Sequence, residues 1–163
     1  MNTTPLNSHG NRENGDGRSE KREGESLKTL LLSEMAAVDA YETAMARLQD
    51  HHVLVSLEKI RDEHARTATA LRAQVMSRGA APPECAGPWT TVAVAINGTD
   101  DIISPTTALW ALCQGEEHTI NAFEDALEHD GLTAESKRLI RIELLPRNRR
   151  HLDQLNRLIG GMT

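Results

Sequence analysis

The stretch LCQGEEHTINAFEDAL, Leu112 to Leu127, repeats the pattern of LLSEMAAVDAYETAM, Leu31 to Met45. Glu116 and Phe123 stand seven apart in the first, as Glu34 and Tyr41 do in the second. The offset is 82 residues (116 − 34 and 123 − 41), and it also pairs Leu27 with Leu109, Leu31 with Cys113, Val38 with Ile120, Glu42 with Glu124 and Met45 with Leu127. The chain's single Tyr and single Phe therefore occupy matched places. Such self-similarity marks an internal repeat of one structural unit. Within each copy the apolar residues, one Glu and one aromatic recur at steps of three and four, the spacing of one helix face. An acid in the middle of an apolar seam is costly unless it is paired, protonated or bound to a cation.

Outward from these two segments, the same periodicity predicts four long helices. The first spans residues 25–49, with Leu27, Leu31, Glu34, Val38, Tyr41, Met45 and Leu48 inward. Asp50 caps the second, which runs over 53–78 and ends at Gly79. Its inward row is Leu57, Ile60 or Arg61, His64, Ala68, Leu71 and Val75. His51 and His52 are adjacent, so they point about 100° apart on a helix and read as a solvated turn. Ser104 and Pro105 open the third helix by capping and by proline's fit to the first turn; it runs to about residue 129. The fourth starts after Thr133 and reaches about residue 159, with Leu139, Ile142, Leu145, Leu152, Leu155 and Ile159 as its apolar set and His151 on an adjoining stripe. Pro146 is expected to kink it, by removing an amide donor and crowding the carbonyl of Ile142.

Residues 80–104 are too long for a tight connection and carry Pro82-Pro83, Gly87-Pro88 and Asn97-Gly98. Trp89, Val92, Ala93 and Ile96 predict a short amphipathic helix within it. A crossover of that length lets the third helix run parallel to the second. The fold class expected is thus all-α: a ferritin-like four-helix bundle with one long crossover between helices 2 and 3. Residues 1–24, rich in Asn, Gly, Ser, Arg and Glu, are expected to form a disordered tail, with the bundle over 25–160.

Composition narrows the function. A chain of 163 residues is one domain by length. A net charge of −6 and 2% aromatic residues argue against nucleic-acid binding, which needs a positive surface and stacking platforms. No apolar run approaches a membrane span and no hydrophobic leader is evident, so a cytoplasmic protein is expected, acting through self-association or a protein partner. Cys85 and Cys113 have no close-spaced partner and read as free thiols, Cys113 in the core.

The pattern resembles the ferritin-like superfamily, including ferritins and rubrerythrins. Its members carry a Glu and, seven residues on, a Tyr on the first helix, as Glu34 and Tyr41 do here, and a Glu on the third, as Glu116 does. Their second and often fourth helices carry Glu-x-x-His. His64 and His151 match the histidines, but Arg61 and Asn148 stand where the glutamates would be. A closer likeness, over Leu27 to Ile159, is to an uncharacterised bacterial family of small ferritin-like four-helix bundles whose third helix reads much like Cys113 through Leu127.

A dinuclear iron centre needs more carboxylates than this set supplies. The residues leave two readings open. In the favoured one, Glu34, Arg61, Glu116, His64 and His151 form a metal-free buried polar network, with Arg61 pairing an acid and Tyr41 and Asn148 nearby. In the alternative, Glu34, His64, Glu116 and His151 hold a single iron or manganese ion, for binding or redox chemistry. A shift of one in register would bring Glu63 or Glu117 inward. A storage cage ranks below both, because the ligand set is incomplete.

Overall fold

The computed structural model describes residues 13–86 and 104–162. Helix α1 spans Glu13–Met45, α2 His51–Ser77 and α3 Pro105–Glu128. A fourth rod follows in three parts: α4 (Ala134–Leu139), a π-helical turn (Ile140–Leu144) and α5 (Leu145–Gly161). There is no strand among the described residues. None of the described helices is long and apolar enough to cross a membrane. The expected helix at Trp89, Val92, Ala93 and Ile96 lies outside the described residues.

The helix boundaries follow from local chemistry. The Asp50 side chain accepts from the amide of Val53, Ser104 from that of Thr107 and Thr133 from that of Ser136. Each supplies an acceptor to a helix N-terminus that would otherwise leave donors unpaired. Gly79, at φ +71°, turns the chain out of α2 in the left-handed region that glycine adopts freely.

Helix directions follow from the contacts at the ends. Glu23, in α1, reaches Arg78 just past the end of α2 and also Thr133 and Ser136 at the start of α4. The first and fourth rods therefore run one way and α2 the other. α3, which ends just before Thr133, runs parallel to α2, and only a long crossover permits that. Two apolar clusters fill the bundle. One holds Tyr41, Leu57, Ile60, Leu109, Leu112 and Leu155, and the other Leu27, Leu31, Leu71, Phe123, Ile140 and Leu144. The polar residues described below lie on the same inward faces.

Two expectations need correction. The bundle does not begin at residue 25: α1 extends back to Glu13. Glu23 and Gly24 continue the inward stripe of Leu27 and Leu31 and are buried. A Cβ on Gly24 would stand 2.8 Å from that of Ala80, so the missing side chain lets the two segments close. Residues 1–12 lie outside the described residues.

The second correction concerns the fourth rod. Pro146 has no amide to give to Ile142, and the helix widens just before it: the Leu145 amide bonds the carbonyl of Ile140, five residues back. The wide turn admits one extra residue and shifts the register. Ile140, Leu144 and Leu145 are buried, while Ile142, expected inward, is 58% exposed.

A candidate metal centre in the bundle core

Each of the four rods contributes polar side chains to one cluster in the bundle core. α1 supplies Glu34 and Tyr41, α2 supplies Glu63 and His64, α3 supplies Glu116, and α5 supplies Arg147, Asn148 and His151. Glu34, Tyr41, His64, Glu116 and Asn148 have no exposed surface, and His151 has 3%. The helical spacing that puts Leu57, Ile60, Leu71 and Val75 inward brings His64 with them.

At the centre is Glu116 Oε1. It accepts from Tyr41 Oη at 2.7 Å and lies 2.9 Å from His64 Nε2 and 3.4 Å from His151 Nδ1. The outer nitrogens of both imidazoles meet further acids. His64 Nδ1 is 2.8 Å from Glu34 Oε2, and His151 Nε2 is 3.0 Å from Glu63 Oε2. Acid and imidazole thus alternate in one chain: Glu34, His64, Glu116, His151, Glu63. The two ring planes cross at 60° with centroids 4.9 Å apart.

The far end of the chain carries a fixed cation. Arg147 Nη2 donates to Glu34 Oε1 at 2.8 Å and to Asn148 Oδ1 at 2.8 Å, its Nε donates to Asn148 Oδ1 at 3.2 Å, and its Nη1 contacts Thr67 Oγ1. Arg147 is only 8% exposed. Arg61, expected to neutralise the buried acids, does not reach them. It pairs with Glu42 at 3.2 Å and Asp62 at 2.9 Å on the outside of α2. Ile60, 2% exposed, takes the inward place. A long charged side chain keeps its hydration at the rim, whereas an isoleucine gains only by burial.

The electrostatics follow from these contacts. Burial works against a charged His64, but the carboxylates of Glu116 and Glu34 outweigh it and lift the imidazole to about 9. Burial would raise Glu116, yet the charge of His64, the nearby His151 imidazole and the hydrogen bond with His64 hold it well below the carboxylate range. Burial and the adjacent Glu116 push the Tyr41 phenol well above 10, so it stays a donor. Burial would also raise Glu63, but its hydrogen bond with His151 lowers it. Three buried side-chain atoms of the cluster have no hydrogen-bond partner among the described residues: Glu116 Oε2, Asn148 Nδ2 and His151 Nδ1, the last standing 3.4 Å from Glu116 Oε1. Orphaned buried polar atoms are rare and call for a water, an ion or a functional reason.

Residues 22–129 match a family described as a domain of unknown function, DUF2383. The chain belongs to the DUF2383 family. The matched span includes Glu34, Tyr41, Glu63, His64 and Glu116, and it ends before Arg147, Asn148 and His151. Among curated proteins, none matches this DUF2383 chain. Among solved structures, it is similar to a crystal structure of ferritin-like, diiron-carboxylate proteins from Bacillus anthracis str. Ames. The identity is 17% and the TM-score 0.67, with 86% of this chain and 97% of the other covered. That likeness shows the fold, a ferritin-like helical bundle.

The sequence-derived site residues Glu34, His64, Glu116, His151, Tyr41 and Asn148 all meet in this cluster. Sequence reasoning missed Arg147. Its signal was weak: Pro146 marks a disturbed helix, and the residues after it keep a helical face only if one extra residue is absorbed. Glu63 was visible only as a neighbouring register of His64.

Proposed function

We propose that this protein holds one divalent transition-metal ion, iron or manganese, in the bundle core, with Glu116, His64 and His151 as its protein ligands. The observation that carries this reading is the convergence of three buried donor atoms, one from each residue, within 4.8 Å of one another. Ligand atoms about 2.1 Å from an octahedral ion stand about 3 Å apart in cis. The separations of 2.9 and 3.4 Å around Glu116 Oε1 suit that arrangement. Two imidazoles and one carboxylate are a donor set that iron(II) accepts while keeping open positions. Each imidazole is braced from behind by an acid, Glu34 for His64 and Glu63 for His151, the outer support that orients ligating histidines. Glu34 therefore serves as a brace rather than a ligand.

The diiron centre named for the Bacillus anthracis structure does not fit these residues. Asn148 offers no carboxylate, and Arg147 already occupies one oxygen of Glu34. Three carboxylates against one guanidinium leave two negative charges, which one dication and neutral imidazoles balance. A second dication would leave the core two charges positive and undercompensated. When bound, a single ion supplies a Lewis acid and, for iron or manganese, a redox partner. Tyr41 steadies Glu116, and Glu63, whose side chain is 38% exposed, marks the solvent edge of the site.

A second reading rests on a specific observation. Both ring nitrogens of His64 meet carboxylate oxygens, so an imidazolium satisfies that part of the site with no metal, as a buried polar network. Elemental analysis of protein purified without chelator decides between them. One equivalent of iron or manganese, absent from Glu116→Gln, supports the metal centre. No metal in either protein, and none taken up on addition, selects the network.

A further inference from the structure

We infer that Arg147 is a built-in cation at the place of a second metal ion, and that it restricts this centre to one ion. The inference rests on the metal-centre reading above and concerns how many ions the site accepts. Three observations carry it. First, Nη2 of Arg147 stands 2.8 Å from both Glu34 Oε1 and Asn148 Oδ1, so a fixed positive charge ties the first rod to the fourth at the acid behind His64. Second, both oxygens of Glu34 are engaged, Oε1 by Arg147 and Oε2 by His64, so an ion at Glu34 would stand directly beside a fixed positive charge. Third, every guanidinium nitrogen has a partner: Nε on Asn148, Nη1 on Thr67 and Nη2 on Glu34 and Asn148. The charge is permanent, because arginine does not lose its proton in proteins. A fork held on three helices also repels a dication brought beside it.

The π turn is part of this device. A regular helix through Ile140 to Leu144 would rotate the residues beyond it by about one position, or about 100°. The extra residue lets Arg147, Asn148 and His151 all face the core.

The experiment counts manganese(II) bound to metal-stripped protein, by electron paramagnetic resonance of free ion and by elemental analysis. It compares wild type with Arg147→Gln/Asn148→Glu, which removes the cation and supplies a carboxylate. Circular dichroism establishes that each protein is folded. The expected result is one ion in wild type and two in the double variant, with exchange-coupled manganese signals only in the variant. Arg147→Gln alone, which keeps a hydrogen-bond donor for Glu34, serves if the double variant does not fold, and a second, weaker ion is expected in it. If wild type takes no ion, the metal-centre reading falls and the one-ion limit falls with it; if wild type and the folded variant each take one, only the inference about Arg147 falls. If the folded variant takes no more ions than wild type, the inference about Arg147 is overturned.

Discussion

His64 Nε2 lies 2.9 Å from Glu116 Oε1, and neither residue has any exposed surface. The contact joins α2 to α3, which the long crossover connects in sequence. In the absence of metal it is a charged hydrogen bond, with the imidazole carrying the proton. An ion at Glu116 would compete with that same proton. Most of the behaviour expected of this protein follows from this competition.

Protonation gives the first prediction. His64 titrates at about 9 against an ordinary 6.5, so its contribution is fully present below about 6.5 and lost as pH rises through about 9. Glu116 is shifted the other way, so its contribution is present above about 4.5 and lost as pH falls. Chelator-treated protein should be most stable near pH 5–7 and should lose roughly 3 kcal/mol between pH 6.5 and 9.5. Denaturant melts across that range measure it. A wild-type alkaline limb no steeper than that of Glu116→Gln contradicts the assignment.

Metal affinity should separate the two acids of the His64 contact. Glu116→Gln removes a ligand and should abolish binding. Glu34→Gln removes only the brace behind His64 and should weaken binding about 10- to 100-fold. Calorimetric titration with manganese(II) distinguishes them, and equal losses would show that Glu34 is itself a ligand.

The two arginines should behave very differently. Arg61 is at the rim, in exposed pairs of the kind that contribute about 0–1 kcal/mol, so Arg61→Ala should change stability little. Arg147→Ala strands the buried Glu34 carboxylate and should cost about 3–5 kcal/mol. Similar melting temperatures for the two variants would contradict this placement.

The contrast shows what could be read from the residues alone. The 82-residue offset placed Glu34 with Glu116 and Tyr41 with Phe123, because helical period and burial act together over long, regular segments. Four helices, their caps and the crossover topology followed from the same regularity. Arg147 was hidden because Pro146 marks a disturbed helix without saying that one residue is inserted, and the inward positions beyond it depend on that insertion. Arg61 was misplaced because Ile60 and Arg61 are adjacent, and periodicity alone does not say which of two neighbours turns inward. Glu23 was assigned to a tail because its segment is polar. What orders it is tertiary: Thr133, Ser136 and Arg78 come from distant parts of the chain.

Glu23 gives a further expectation. Burial would raise its carboxyl, but hydrogen bonds from Thr133 and Ser136 and the charge of Arg78 lower it. It also caps the fourth rod by accepting the Thr133 amide at 3.2 Å. Glu23→Ala should cost about 2–3 kcal/mol by leaving these donors unpaired, whereas Glu20→Ala, at an exposed position, should be near neutral. Thermal melting of the two variants checks this, and matching values would show that the clamp is dispensable.

The central claim is a single ion bound at Glu116, His64 and His151. Titrating metal-stripped wild type with cobalt(II) under anaerobic conditions tests it most directly, because the visible absorption of cobalt reports both coordination and stoichiometry. The expected result is a ligand-field spectrum that saturates at one equivalent and is lost in Glu116→Gln. Saturation at two equivalents, or no protein-bound spectrum at all, would contradict it.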